Sequence, residues 1–123
     1  MSMRRINLPV PLTGLVVLFS ATQAMGQALC KPDLAFKQAR FSEAKDQKRV
    51  WTGIVNVDAS PCAARSGSFE IKFIRLKETG PDLLFAEWFQ WSPGQVEVAL
   101  DFWWDESVAS YWLGDVKPCA CRN

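Results

Sequence analysis

Four cysteines constrain the fold of this 123-residue chain more than any other feature. Cys30 and Cys62 are far apart, and Cys119-Ala120-Cys121 stands at the end of the sequence. An even number of cysteines in a short exported chain indicates an oxidising compartment and a small domain cross-linked by disulfides. All four cysteines are therefore predicted to form disulfide bonds.

Residues 1–28 have the layout of a cleaved secretory signal peptide. Two arginines near the start precede an apolar stretch over residues 8–19, and small residues follow. Proline and glycine interrupt this stretch, which is too short for a spanning helix, so no membrane span is expected after cleavage. Three cleavage positions are open, after Ala24, Gly26 or Ala28. The prediction is a periplasmic or secreted protein whose residues 29–123 form a single domain.

The charge of the mature domain is close to neutral. Removing Arg4 and Arg5 from the 14 basic residues leaves 12 basic against 13 acidic residues. Such a domain lacks the positive surface of a nucleic-acid-binding protein, so no nucleic-acid partner is expected. Residues 31–77 carry ten basic and five acidic residues, whereas residues 78–116 carry eight acidic and no basic ones. Two interpretations are open: acidic strands beside basic strands in one sheet, or an acidic, aromatic face for a cationic or sugar-like ligand.

Alternating apolar and polar residues predict β-strands throughout the mature chain. In the clearest case, Val98, Leu100 and Phe102 point one way while Glu97 and Asp101 point the other. Residues 105–114 are compatible with a short helix or a strand, and a strand is favoured. Six strands are predicted, each one pass of the chain, at about 33–41, 48–58, 68–77, 82–91, 95–103 and 108–117. Short strands at such regular intervals, separated by turns rich in Gly and Pro, predict an all-β antiparallel sandwich.

One predicted strand, residues 83–91, has an imperfect pattern. Glu87 shares a face with Phe85 and Phe89. A bulge, or a position at the edge of a sheet, would resolve this conflict.

The mature chain carries a series of short turn and strand motifs. In order they are Asp33-Leu34, residues 51–58, Ser66-Gly67-Ser68-Phe69, Pro93-Gly94-Gln95 and Trp104-Asp105-Glu106. This series resembles bacterial immunoglobulin-like and fibronectin-III-like modules of cell-adhesion-related proteins, and the whole chain looks like short, uncharacterised exported proteins of proteobacteria. The resemblance implies an immunoglobulin-like β-sandwich of about six or seven strands and a theme of adhesion or accessory binding. The four cysteines depart from those modules.

Six antiparallel passes would bring the four cysteines to one end of the sandwich. The start of the first pass, the loop after the second and the end of the sixth all lie there. A Cys119–Cys121 bond would close a strained ring, so each of these two is predicted to pair with Cys30 or Cys62, in either order. The alternative for the Cys119/Cys121 pair is a soft-metal or thiol-exchange site.

Catalytic chemistry is scarce in this sequence. The chain has no histidine, which excludes a histidine base and imidazole metal sites. Asp105 and Glu106 beside two tryptophans have the residue types of a glycosidase site. Adjacent residues on a strand point to opposite faces, so these carboxylates are not expected to converge on one glycosidic bond. No enzyme, catalytic residue, metal or cofactor is predicted.

The tryptophans offer the best candidate binding residues. Trp51, Trp91, Trp104 and Trp112 are predicted in the core. Trp88 and Trp103 are predicted to be exposed, and pairing across the hairpin at residues 92–94 would place them on one face with Glu97 and Asp101. The sequence thus predicts an exported, non-enzymatic binding or accessory domain, or alternatively a carbohydrate-binding module. The protein or glycan partner is left open.

Overall fold

A computed structural model describes residues 28–123, so the predicted signal peptide lies outside the described residues apart from Ala28. The described part of the chain forms eight β-strands and no helix. They are β1 (Leu29–Cys30), β2 (Asp33–Phe41), β3 (Lys48–Asp58), β4 (Gly67–Lys77), β5 (Leu83–Trp91), β6 (Gly94–Trp103), β7 (Glu106–Val116) and β8 (Cys119–Ala120). The six long strands match the six predicted passes, and the ambiguous segment around residues 105–114 is a strand.

The six long strands form two three-stranded antiparallel sheets. Sheet I has the order β2-β3-β6 and sheet II the order β5-β4-β7. The short strands β1 and β8 pair with each other. The β5–β6 connection passes from sheet II to sheet I, and the β6–β7 connection returns to sheet II. The all-β, antiparallel, disulfide-linked sandwich predicted from the sequence is confirmed.

The core lies between the inner faces of the two sheets. The Trp51 ring of β3 packs edge-on against the Phe73 ring of β4, with centroids 4.8 Å apart. Gly53 leaves room for this indole, because a Cβ there would lie 2.7 Å from the Trp51 ring. Trp51 and Trp91 are each only 2% exposed, which confirms their predicted place in the core.

Two tryptophans predicted in the core are instead exposed. Trp104 is 51% exposed because β6 ends at Trp103 and Trp104 lies in the following turn. Trp112 is 37% exposed because β7 contains a register shift between Val108 and Ser110. The extra residue exchanges the faces of the strand, so that Trp112 lies opposite Lys72 on the outer side of sheet II.

The predicted gathering of the cysteines at one end of the sandwich is confirmed. Cys30 bonds to Cys121 and Cys62 bonds to Cys119, so each cysteine of the C-terminal pair has a separate partner. No described cysteine is free. Backbone hydrogen bonds also fix the tail, since Ala63 donates to the Ala120 carbonyl over 2.9 Å. We call this end of the sandwich the disulfide pole.

The imperfect pattern of β5 is explained by its position. β5 is an edge strand of sheet II and pairs with β4 without a register shift. Glu87 lies opposite Ile71, on the inner side of the sheet, and is partly exposed at the edge. Of the two predicted explanations, the edge position is therefore correct.

Candidate functional site

The outer faces of the two sheets differ in character. On sheet I, polar and charged side chains such as Lys48, Asn56, Glu97 and Asp101 point outward. On sheet II, apolar residues occupy both faces of β4, because Ile74 and the inner residue Phe73 follow each other. The outer faces of an antiparallel sandwich are usually polar and exposed to water. The apolar outer face of sheet II departs from this pattern.

We define the apolar face of sheet II by six residues of three neighbouring strands. They are Ile74, Leu76, Leu84, Ala86, Trp88 and Trp112. Leu84 of β5 lies directly opposite Ile74 of β4. Four residues farther along each strand, on the same face, Trp88 lies opposite Glu70. Leu84 is 63% exposed and Trp88 is 48% exposed. Lys72 lies between Ala86 and Trp112 on this face, and Glu70 lies opposite Trp88, so two charged side chains interrupt an otherwise apolar surface that is open to solvent.

A polar margin borders this face toward the disulfide pole. A cavity of about 380 Å³ is lined by Ser68, Trp88 and Lys117. Gln90 donates from Nε2 to the Ser68 hydroxyl over 2.9 Å. The margin thus offers the Lys117 amine and the Ser68 hydroxyl beside the Trp88 side chain, with the Gln90 amide bonded to that hydroxyl.

Glu70 is a buried carboxylate between the apolar face and β7. Its Oε1 accepts the backbone N–H of Asp115 over 3.0 Å, across the second register irregularity of β7. Its carboxylate lies over Gly114, where any Cβ would collide with it. The glycine and the carboxylate together fix β7 against the centre of sheet II.

The structure separates the two tryptophans that the sequence placed together. Trp88 belongs to sheet II and Trp103 to sheet I, because β5 and β6 do not form a paired hairpin. The predicted shared face is therefore wrong. Both side chains are exposed as predicted, and Trp103 shares the outer face of sheet I with Glu97 and Asp101.

Trp103 borders a second candidate site on sheet I. A cavity of about 340 Å³ is lined by Lys48, Asp101, Phe102, Trp103 and Glu106. Lys48 lies directly opposite Trp103 in the register of β3 and β6, and Asp101 precedes Trp103 by two residues on the same face. An exposed indole, an amine and a carboxylate thus converge on one concave surface.

Ion pairs hold the turn that carries Trp103 and Trp104. Lys77 Nζ lies 3.2 Å from Asp105 Oδ1 and 3.7 Å from Glu106 Oε2. Arg75 Nη1 lies 3.2 Å from the same Glu106 oxygen. Asp105 lies in the turn rather than on a strand, so both carboxylates reach Lys77. Lys77 and Arg75 together balance the charge of the two carboxylates.

Residues 28–123 contain no group of three His, Cys, Asp or Glu residues able to hold a metal ion. Within the same residues, no helix is long and apolar enough to cross a bilayer.

Sequence reasoning missed the apolar face of sheet II. The available signal was the run Ile74-Arg75-Leu76 together with Leu83-Leu84. In these segments apolar residues occupy odd and even positions, so they point to both faces of the sheet. Trp112 could not be added without knowledge of the register shift in β7.

Comparison with known proteins finds no matching family model, no similar curated protein and no similar solved structure.

Proposed function

We propose that this protein is an exported, non-enzymatic binding or accessory domain of the bacterial envelope or extracellular space, and that it binds a protein partner through the apolar face of sheet II. The observation that carries the proposal is the joint exposure of Leu84, Trp88 and Trp112 on one sheet. Soluble proteins rarely expose a contiguous apolar patch unless it is an interaction site. Export follows from the predicted signal peptide, and the two disulfides support an oxidising compartment.

The chemistry of the apolar face favours a protein over a glycan. Trp88 and Trp112 lie directly opposite Glu70 and Lys72, respectively. The rest of the face is formed by Ile74, Leu76 and Leu84, which offer no hydrogen bonds to sugar hydroxyls. Protein interfaces combine an apolar, aromatic centre with a polar rim. The margin of Ser68, Gln90 and Lys117 has the composition of such a rim.

The proposal is tested by capture from the native envelope with two matched variants. Trp88→Ser removes the more exposed of the two tryptophans of the apolar face, whereas Trp103→Ser removes a comparably exposed indole from sheet I. We expect the wild-type protein and Trp103→Ser to retain the same specific partner, and Trp88→Ser to lose it. Equal capture by both variants, or no specific partner of the wild-type protein, would contradict the proposal.

A second candidate function is carbohydrate binding at Trp103. The cavity beside this residue supports it, because Lys48 and Asp101 supply a donor and an acceptor next to the indole. Tryptophan fluorescence across a glycan panel tests this alternative. A shift that is lost in Trp103→Ala and kept in Trp88→Ser would support it, and no response to any glycan would exclude it.

A non-enzymatic role is supported by the state of the reactive groups. Asp105 and Glu106 are engaged by Lys77 and Arg75, so neither carboxylate is poised as a free acid or base. All four cysteines are in disulfides, which disfavours the thiol-exchange alternative.

The division of strands between the sheets supports an immunoglobulin-like relationship, which we include in the proposal. Sheet I holds the first, second and fifth long strands, and sheet II holds the third, fourth and sixth. Immunoglobulin constant domains likewise place strands A, B and E in one sheet and C and F in the other. The fourth strand departs from that pattern, since β5 pairs with β4 rather than with β6.

A further inference from the structure

Strand β7 has an open edge along most of its length. It pairs with β4 on one side, and within residues 28–123 no strand pairs with it on the other. At its start, the Glu106 carbonyl accepts from Arg49 Nη1 over 3.0 Å. Beyond Val116 the chain turns to the disulfide pole, where β8 pairs with β1 and not with β7. An open edge exposes backbone groups that can add another strand.

The other edge strands of the two sheets are β2, β5 and β6. Each carries charged residues at the positions that would face the same strand of a second molecule. In an antiparallel two-fold pairing along its full length, a strand places its central residue against the same residue of the second copy. The centre of β2 is Lys37 and the centre of β5 is Glu87. β6 has ten residues and its midpoint lies between Val98 and Ala99; pairing about Ala99 would place Glu97 opposite Asp101. Like charges directly opposite each other are destabilising, so all three edges disfavour self-pairing.

The open edge of β7 lacks this protection. Its central residue is Tyr111, and residues 107–114 carry no charge. Two register irregularities interrupt the strand, but the run from Ser110 to Leu113 between them pairs regularly with β4. This run is centred next to Tyr111 and is therefore able to accept a strand.

We infer that β7 pairs antiparallel with β7 of a second copy of this chain, about a two-fold axis at Tyr111, to join two copies of sheet II into one six-stranded sheet. In this register Ser110 lies opposite Trp112 of the second copy, on the outer face. Along residues 106–116 this register places no like charges opposite each other. Lys117 comes level with Asp105 of the second copy just beyond the ends of the strand, where Asp105 already contacts Lys77 of its own chain.

The seam between β2 and β7 gives this pairing an apolar component. A cavity of about 140 Å³ lies there, lined by Ala39, Arg40, Phe41, Trp51, Val108 and Tyr111. Tyr111 packs edge-on against Phe36 with ring centroids 4.9 Å apart, yet it is still 37% exposed. A second copy on this edge covers the seam and removes apolar surface from water, which favours association.

The inference goes beyond the proposed function and does not depend on it. The proposed partner binds the outer face of sheet II, whereas self-pairing uses the backbone edge of β7. Trp88 lies on β5, at the opposite edge of the same sheet. Substitution of Trp88 therefore separates the two interactions.

The test combines light scattering with hydrogen exchange on the oxidised, exported protein over a concentration series. We expect a doubled mass at high concentration, with slower amide exchange in residues 107–116 as the dimer forms. Ser110→Lys places a charge beside the two-fold axis and should abolish the dimer. Ala99→Lys, which puts the same side chain at an exposed site on the edge strand β6, should leave it intact.

Other outcomes would overturn the inference. A protein that stays monomeric up to its solubility limit has no such interface. A dimer that survives Ser110→Lys, or that protects no amide of β7, uses another surface. Retention of the dimer by Trp88→Ser, together with loss of the envelope partner, would show that the two interactions are separate.

Discussion

At the scale of single residues, Glu106 connects three parts of the molecule through one carboxylate. Oε2 contacts Arg75 and Lys77 on β4, and Oε1 accepts the Trp103 backbone N–H over 2.7 Å. The side chain is only 7% exposed, so these groups replace most of its water. This carboxylate therefore fixes the turn bearing Trp103 and Trp104 to sheet II.

We expect Glu106→Gln to lower the free energy of unfolding by about 2–3 kcal/mol. Removal of one member of a buried ion pair costs about 3–5 kcal/mol, and the partly exposed cations Arg75 and Lys77 reduce that cost here. Urea denaturation measures the change. Asp101→Asn is the control, because replacing this exposed acid should change the free energy of unfolding by less than about 0.5 kcal/mol. Equal losses in the two variants would contradict the role given to Glu106.

At the scale of elements, the β2–β3 connection is a tight hairpin turn. Lys45 and Lys48 exchange backbone hydrogen bonds of 2.8 and 3.0 Å. The two residues between them, Asp46 and Gln47, have φ values of 53° and 66°. Positive φ at both central residues defines the type I′ turn, in which glycine is preferred at the second position. Gln47 is therefore a residue with a Cβ in a conformation that suits glycine.

Gln47→Gly should raise the free energy of unfolding by about 0.5–1 kcal/mol. The left-handed conformation costs an ordinary residue about 1–2 kcal/mol, of which the greater freedom of glycine in the unfolded chain offsets a part. The Gln47 carbonyl, which accepts the Trp104 N–H over 3.1 Å, is kept. Thermal unfolding tests the change against Gln47→Ala, which retains the Cβ and should give no gain.

The elements also show how far sequence reasoning reaches. Alternation and turn residues located all six long strands, because each half-buried strand must repeat every two residues. Alternation could not show which strands are neighbours, since the turn at residues 92–94 suits a paired hairpin as well as a crossing between sheets. It also could not detect the bulge that turns Trp112 outward. The predicted binding residues were therefore exposed but not assembled correctly.

At the scale of the whole molecule, the two disulfides differ in how deeply they are buried. Cys62 is fully buried and Cys119 nearly so, whereas Cys30 and Cys121 are partly exposed. The loops they close also differ, with sequence separations of 57 for Cys62–Cys119 and 91 for Cys30–Cys121. Chain entropy alone gives about 4.2 and about 4.6 kcal/mol, respectively, so the longer loop should matter slightly more.

We expect burial to reverse this order. Cys62→Ala/Cys119→Ala removes two sulfur atoms from the core and leaves a cavity, which adds roughly 1 kcal/mol or more to the lost entropy term. Cys30→Ala/Cys121→Ala loses little packing. Denaturant unfolding of the two double variants should therefore show the lower stability for the Cys62/Cys119 pair. The reverse order would mean that loop length dominates.

The inward-pointing Glu87 also determines how large an assembly this chain can build. In the proposed dimer the joined sheet ends at β5 of each copy, and both of those strands carry this charge on the inner side at their centre. A third copy pairing at β5 would have to place its own Glu87 next to this Glu87 and remove both carboxylates from water, which is unfavourable. Growth through sheet II is therefore expected to stop at two copies rather than continue into a fibre.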